Sequence, residues 1–203
     1  MGGAEDAGML QFRISEIVPA GIAAGATLGN RHRLGLLDQI PRDLLTSTVL
    51  VDFALLEGVT ASYLKAFLAP LLESNDTATA SSLDDALRIH VFVVNLGDDI
   101  REDLNAALAS IGKPCLEAIE WSEDGVTRAR IHGPIEQKIA DAFDDLITVG
   151  GGTAADMRQR DRSVGVTGWH YRLGELHKLG FARRTKAGRS WKYEPIATEV
   201  VRG

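Results

Sequence analysis

VGVTGWHYRLGELHKLGFARRTKAGRSWKYEP, residues 164–195, is the stretch from which the C-terminal architecture can be predicted. Trp169, Leu173 and Leu176 recur at intervals of four and three residues, the spacing of one face of an α-helix. This periodicity predicts a helix over residues 164–179, with those three side chains turned towards a core and the opposite side turned towards solvent.

A β-hairpin is predicted directly after this helix. Gly180 stands where the helix C-cap falls, and glycine enters the left-handed conformation there without steric cost. Two short extended segments, 181–185 and 189–194, follow it. They are separated by Lys186-Ala187-Gly188, a glycine-containing turn that suits a hairpin.

The same part of the chain is strongly basic. Residues 157–193 hold ten Lys and Arg against two acids, whereas the whole chain has a net charge of −6. Contacts to nucleic-acid phosphates need such a local excess, because released counterions supply much of the affinity. Residues 134–203 carry a net +3 and residues 1–133 a net −9, which predicts two units with different partners.

The basic stretch resembles the winged helix-turn-helix of bacterial transcription regulators. Residues 153–157 match the first helix of the motif, 164–179 the second, and Phe181-Ala182-Arg183-Arg184 the entry to the wing. Thr153 is also predicted to cap the first helix, with Asp156 completing a capping box. A second interpretation stays open, in which the same fold makes protein contacts and its basic residues are merely solvated.

The resemblance implies that the second helix enters the major groove of duplex DNA and that the wing contacts phosphate or the minor groove. Arg172 is the best candidate for a guanine edge, where a bidentate contact contributes about 1–3 kcal/mol of discrimination. Trp191 and Tyr193 are expected to pack the hairpin onto the helices rather than to stack on bases. The predicted DNA-binding residues are Thr167, Gly168, His170, Tyr171, Arg172, Arg184, Lys186, Arg189 and Lys192.

The N-terminal part alternates between extended and helical patterns. This order predicts an α/β domain with a mixed or partly parallel sheet over residues 10–133, followed after Gly133-Pro134 by a second domain over 134–203. The predicted strands are 10–18, 48–53, 89–95, 116–121 and 126–131; the predicted helices are 28–45, 60–72, 98–111 and 135–147, with a loop at 73–83.

This N-terminal part resembles the STAS-like family, whose relatives include anti-sigma-factor antagonists. The matching blocks are residues 29–35, 49–53 and 58–64. The family's phosphorylated serine falls on Ala61 here, which is a departure from the pattern. Phosphorylation of Thr60 or Ser62 is one alternative; the other is that Thr60 caps the helix and Ser62 lies in its first turn.

Two further polar features of this part have structural interpretations. His32, between Arg31 and Arg33, is expected at a solvated helix start, with a bound anion as the alternative. Asp52 ends a buried strand and is expected to be structural, with Arg31 as a possible partner.

Several classes of protein are disfavoured by composition. No run of 18 apolar residues exists, and acids occupy the N-terminal region where a signal peptide is basic, so a cytoplasmic protein without a membrane partner is expected. A single cysteine, Cys115, agrees with a reducing compartment and is expected to be buried. The histidines are scattered, so neither a metal, a cofactor nor a catalytic constellation is predicted, and the chain is not expected to be an enzyme.

The sequence therefore predicts a cytoplasmic bacterial transcription regulator, built from a STAS-like α/β domain and a winged helix-turn-helix. One helix and wing cover only a half-site, so a homodimer on double-stranded DNA is expected. The N-terminal domain would dimerise the protein or sense a regulatory protein partner. The alternative is a protein-interaction switch in a kinase-linked or partner-switching pathway, without direct DNA binding.

Overall fold

A computed structural model describes residues 9–18, 21–40, 46–77 and 88–202. They form a mixed α/β fold with a six-stranded mixed sheet and helices on both of its faces. In chain order the elements are β1 Met9–Arg13, a 3-10 turn Ile14–Glu16, β2 Ile22–Ala23, α1 Ala26–Leu37, β3 Thr46–Asp52, β4 Gly58–Val59, α2 Ala61–Thr77, β5 Arg88–Val94, α3 Asp98–Ile111, β6 Cys115–Ser122, β7 Gly125–His132, α4 Gln137–Val149, β8 Gly152–Thr153, α5 Ala154–Arg160, α6 Val166–Lys178, β9 Ala182–Ala187, β10 Ser190–Pro195 and β11 Ala197–Arg202.

The large sheet has the strand order β1-β3-β5-β6-β7-β11. Its first four strands are parallel, β6 and β7 form an antiparallel hairpin, and β11 pairs in parallel with β7. A two-stranded pair, β2-β4, and a three-stranded sheet, β8-β10-β9, lie outside it. The expected mixed sheet is thus confirmed.

Successive side chains of β3 pack into two different cores, one on each face of the sheet. Val49 and Val51 pack against α1, α2 and α3, whereas Leu50 belongs to the core formed with α4, α5, α6 and the β9-β10 hairpin. Crossovers between parallel strands are almost always right-handed. Since β7 runs opposite to β6, a right-handed crossover from β7 to β11 must pass over the face that α1–α3 leave open.

The chain therefore returns to the large sheet after the hairpin. Residues 197–202, predicted to belong with the second domain, form the edge strand beside β7. One buried cluster contains Leu50 and Phe92 from the sheet together with Phe143 and Trp169 from the helices. The division into two domains, 10–133 and 134–203, stays a prediction; in the structure, residues of both parts contribute to this core.

Most predicted elements are confirmed, with corrections at three places. The strand predicted over 10–18 ends at Arg13, because the chain turns there and buries Ile14 and Val18. The helix predicted over 28–45 ends at Leu37, and residues 41–45 lie outside the described part. The loop predicted over 73–83 is helical as far as Thr77, where α2 ends; residues 78–83 also lie outside the described part.

Close packing of α1 on α2 depends on an aromatic row. Phe12 stacks on Phe67 and Phe67 on Tyr63, with ring centroids 5.9 and 5.8 Å apart. His32 meets Tyr63 edge-on, and its Nδ1 lies 2.9 Å from the Tyr63 hydroxyl oxygen. The expectation that His32 lies at a solvated helix start is wrong, because its ring fills the gap between the two helices and is 6% exposed.

The start of α2 is capped as expected. The hydroxyl oxygen of Thr60 accepts hydrogen bonds from the Tyr63 and Gly25 backbone N–H groups. The Ser62 hydroxyl lies 3.1 Å from it, in the first turn of the helix. These contacts fix the junction of β4 with α2 and tie it to the start of α1. Phosphorylation of Thr60 or Ser62 stays a prediction.

Asp52, at the carboxyl end of β3, is buried with a full set of donors. Gln11 and Arg13 donate to one carboxylate oxygen; Asn95 and the Ala54 N–H donate to the other. Arg13 rather than Arg31 supplies the cation, since β1 lies beside β3. Burial alone would raise the pKa of Asp52, but these hydrogen bonds outweigh it and hold the pKa below its usual value.

A second buried carboxylate, Glu117, ties the β6-β7 hairpin to α3. Its side chain accepts hydrogen bonds from Arg101 on α3 and from Arg130 and His132 on β7, the last at 2.8 Å. Burial alone would raise the pKa of Glu117. The contacts with His132 and Arg101 lower the pKa by more than burial raises it, so the carboxylate is held ionised. Buried charge is tolerated here because it is paired and hydrogen-bonded.

We expect Gly29→Ala to destabilise the protein by about 1–3 kcal/mol, the usual cost of overpacking. An added Cβ would lie 2.6 Å from the Tyr63 carbonyl oxygen, and backbone cannot move away cheaply. Gly35→Ala on the same helix is the matched control, since its Cβ would meet no atom within 4 Å and should stabilise by up to about 1 kcal/mol. Urea unfolding distinguishes them, and equal effects of the two changes would contradict the packing.

The low pKa of Asp52 predicts a specific acid sensitivity. A carboxylate with a depressed folded-state pKa contributes stability that is present above its unfolded pKa, about 3.9, and is lost as pH falls through the folded value. Asp52→Asn should therefore be less stable than the wild type near neutral pH, by about 1–3 kcal/mol, and should lose less on acidification.

Urea unfolding at pH 7 and at about pH 3 measures this difference. Asp38→Asn, at the exposed C-terminal end of α1, is the control for removing a carboxylate and should retain the wild-type stability at pH 7. Identical pH dependence of the wild type and Asp52→Asn would contradict the assignment.

Candidate nucleic-acid interface

The ten basic residues of the stretch 157–193 lie on α5, the turn after it, α6 and the β9-β10 hairpin, which follow α4 and the short strand β8. β10 pairs with both β8 and β9, so the hairpin is joined to the start of α5. At that start the predicted capping box is confirmed: Thr153 and Asp156 each accept a hydrogen bond from the other's backbone N–H. Strand β8, the start of α5 and the β9-β10 hairpin are therefore held together at this point.

Helix α6 packs as the periodicity predicts. Trp169, Leu173 and Leu176 are all fully buried. The helix ends at Lys178, and Gly180 follows with φ +78°; the Phe181 N–H donates to the Leu176 carbonyl over 2.8 Å. This glycine ending turns the chain directly into β9, because the left-handed residue satisfies carbonyls that the helix leaves unpaired.

The predicted groove-facing residues of α6 divide into two groups. Thr167, His170 and Tyr171 are exposed, and Tyr171 is 48% exposed although it is a large aromatic residue. Gly168 and Arg172 are half-buried. A Cβ on Gly168 would lie 2.9 Å from Val164 Cγ1, so this glycine allows Val164 to fold back on the helix start.

Arg172 is held against the protein. Its guanidinium carbon lies 5.4 Å from the centroid of the Trp169 ring. Its positive charge also lowers the pKa of two nearby carboxylates, Asp141 and Asp161. Hydrogen bonds have the larger effect on each of them: from Arg202 to Asp141 and from Ser163 to Asp161. Arg172, on α6, therefore interacts electrostatically with Asp141 of α4 and with Asp161 after α5.

Two of the hairpin's cations lie on one aromatic ring. Arg184 and Lys186 lie over Trp191, with their charged groups 4.1 and 4.4 Å from its ring centroid. Tyr193 is buried in the core and Trp191 only half-buried, so the expected packing role fits the tyrosine more fully than the tryptophan. Cation–π contacts of this kind hold long side chains in place while leaving their charge near solvent.

The turn of the hairpin is shorter than predicted. Ala187 pairs with Ser190, so the two turn residues are Gly188 and Arg189 rather than residues 186–188. Gly188 has φ +62°, which two-residue hairpin turns require. Arg189 is consequently placed at the exposed tip, whereas Lys192 pairs with Glu194 on the same strand at 2.7 Å.

Two arginines on this surface were not among the predicted site residues. Arg158 on α5 and Arg162 after it line an open groove of about 390 Å³ with Gln159 and the first residue of α6, Val166. Neither arginine has an ion-pair partner among the described residues, whereas Arg160 lies 3.8 Å from Asp145. The local excess of basic residues signalled these two, but only the structure places them beside the start of α6.

The acids of this region are already engaged. Glu175 pairs with Lys178 at 2.6 Å, and Asp161 accepts hydrogen bonds from the Ser163 N–H and hydroxyl. Asp156 is used in the capping box. Excess positive charge therefore faces solvent on α5, on the following turn and on the hairpin, where it could attract an anionic polymer.

Other kinds of site are not evident in the described part of the chain. No group of three or more His, Cys, Asp or Glu side chains lies close enough there to hold a metal ion. Cys115 is fully buried as expected, and burial raises the pKa of its thiol to about 12. None of the described helices is long and apolar enough to cross a bilayer.

No model of a known protein family matches the chain. Searches of curated proteins and of solved structures also find no match. The chemistry of the surface itself is consequently the basis on which a function is inferred.

The capping box predicts a measurable contribution to stability. We expect Thr153→Ala to lower the free energy of unfolding by about 1 kcal/mol, because the first turn of α5 loses an acceptor for a backbone N–H. Thr153→Ser keeps the hydroxyl and is the matched control. Urea unfolding of both variants tests this; an alanine variant as stable as the serine variant would show that the cap contributes nothing.

Proposed function

We propose that the protein is a DNA-binding transcription regulator that contacts duplex DNA through α5, α6 and the β9-β10 hairpin. The observation that carries this proposal is the exposed excess of positive charge on α5, on the turn after it and on the hairpin, in a chain whose net charge is −6. A local excess of cations in an otherwise acidic protein is suited to a polyanionic partner. The order of helix, short strand, two helices and hairpin supports the resemblance to a winged helix-turn-helix.

In this proposal the N-terminal half of α6 enters the major groove, which is wide enough to admit one helix. Thr167, His170 and Tyr171 are its exposed side chains and the best-placed base readers. Arg172 is the predicted guanine contact, but its guanidinium group lies against the Trp169 ring. In this proposal the side chain leaves that ring before it contacts a base or the DNA backbone.

The remaining cations position the protein on the backbone. Arg158 and Arg162 flank the start of α6 and would each contact a phosphate. Arg189 at the hairpin tip, with Arg184 and Lys186 held on Trp191, would follow the neighbouring phosphates or enter the minor groove. Such contacts fix register and orientation but carry no sequence information themselves.

A homodimer in the cytoplasm is part of the proposal, because one helix and hairpin cover only a half-site. The half of the chain built from β1–β7 and α1–α3, being acidic, would lie away from the DNA and would serve dimerisation or the sensing of a partner.

A protein-interaction switch is the second candidate function. Leu55, in the turn after β3, is 86% exposed and has φ +64°, a conformation that non-glycine residues adopt rarely. Ile22 on the neighbouring β2 is also half exposed. An apolar side chain held outward in this way would be available for a contact with another protein.

The DNA proposal predicts steeply salt-dependent binding. Fluorescence anisotropy with mixed duplex fragments over a salt series should give a linear fall of log affinity with log salt concentration. Replacing Arg158 and Arg162 by Gln should weaken binding and make the slope shallower by roughly two units, about 0.9 for each phosphate that is no longer neutralised. Replacing Lys186 and Arg189 should act in the same way.

Lys65→Gln is the matched control. This exposed cation lies on α2, on the opposite face of the sheet from α5 and α6, so its removal should leave both affinity and slope unchanged. Absence of duplex binding by the wild type at low salt would reject the DNA proposal and favour the protein-interaction switch. An equal effect of Lys65→Gln and the paired arginine changes would show non-specific attraction only.

A further inference from the structure

A cavity at the edge of α1, open to solvent, is a candidate small-molecule site. Its volume is about 340 Å³, at the lower end of the range of roughly 300–1,000 Å³ that ligand pockets span. Phe12, Ile17 and Leu28 supply apolar walls, and Arg31, His32 and Gln39 supply the polar groups. Apolar walls with a few convergent polar groups are the usual composition of a ligand pocket.

His32 gives this cavity a buried polar group with an unused atom. The ring is more than nine-tenths buried, and its Nδ1 is occupied by the Tyr63 hydroxyl at 2.9 Å. No hydrogen bond to its Nε2 is formed by the described residues, and this atom is in reach of solvent at the cavity that the ring lines. This nitrogen is therefore available to a ligand or to water in the cavity.

The Tyr63 hydroxyl determines which tautomer His32 adopts. Tyr63 is completely buried, and His32 is the hydrogen-bond partner of its hydroxyl among the described residues. A buried hydroxyl hydrogen needs an acceptor, so the tyrosine donates to Nδ1 and the ring proton lies on Nε2. Burial, followed by the charge of Arg31, lowers the pKa of His32, which keeps the ring neutral near pH 7.

The charge of the cavity lining selects the ligand. Arg31 brings a full positive charge, His32 and Gln39 bring neutral N–H donors, and none of the described lining residues is acidic. An anionic group with at least two acceptor oxygens would satisfy these donors. The apolar walls formed with Phe12 then require an apolar body attached to that anionic group.

We propose that this cavity binds a small molecule consisting of an apolar, ring-sized body and one carboxylate or phosphate group. The anion contacts Arg31 and the Nε2–H of His32, and the body packs against Phe12, Ile17 and Leu28. The site goes beyond DNA binding and does not depend on it, because its residues lie on β1, the following turn and α1, on the opposite face of the sheet from α4, α5 and α6.

Nitrogen-15 NMR titrations of the full chain test the proposal with four probes. Benzoate and phenyl phosphate each carry both features and distinguish the two anions from one another. Acetate has the charge without the ring, and benzyl alcohol has the ring without the charge. We expect saturable shifts of α1 amides with benzoate or phenyl phosphate, and binding of acetate and benzyl alcohol at least about tenfold weaker.

Two variants and one control locate the binding. Arg31→Gln should weaken binding by about tenfold or more, since the change removes a charge-assisted hydrogen bond. Gly35→Leu should abolish it: Gly35 lines the cavity, and a side chain there has open space to occupy without disturbing the fold. Arg33→Gln removes a neighbouring charge that does not line the cavity and should bind as the wild type does.

Clear results would overturn the proposal. It fails if neither anion gives saturable shifts with the wild type, or if Gly35→Leu and Arg31→Gln bind as tightly as Arg33→Gln. Long-range nitrogen-15 spectra of the His32 ring supply a readout that needs no ligand: the proton should be found on Nε2, and a proton on Nδ1 would remove the donor on which the site depends.

Discussion

The reversal of strand direction at the β6-β7 hairpin is the constraint on which the arrangement of the molecule depends. Before it, parallel strands and right-handed crossovers place every connecting helix on one face. After it, the same handedness sends the chain to the other face. Glu117, bound by Arg130 and His132 across the hairpin and by Arg101 from α3, holds the two strands at this reversal.

Because of the reversal, the segment from α4 to β10, here called the basic unit, is built between two neighbouring strands instead of being appended by a linker. It leaves the sheet after β7 and rejoins it at β11, and its core is continuous with that of the sheet through Leu50 and Phe92. Arg183 of β9 also donates to the Thr48 hydroxyl on β3. The exposed faces of α6 and the hairpin are therefore held in a fixed orientation by the sheet.

Features determined within a few residues could be predicted from the sequence, whereas long-range pairings could not. The glycine ending at Gly180 and the capping box at Thr153 are local and were located correctly. Strand β11 was not anticipated, because a short edge strand carries little periodicity and its partner lies far away in the sequence. For the candidate interface, the balance of charged residues pointed to this region, but the contact of the half-buried Arg172 with Trp169 and the placement of Arg158 depend on how α5 and α6 pack.

The parallel pairing of β11 with β7 also has a consequence for the order of folding. Thr198 donates to the Thr127 carbonyl across a separation of 71 residues. Such a closure carries a larger entropic cost than the local hairpins do, so it is expected late, after the intervening helices have shortened the effective loop. During synthesis the outer edge of β7 would therefore stay open until the whole basic unit has emerged. In that interval the nascent chain would present an unpaired strand edge, the kind of surface on which chains associate wrongly.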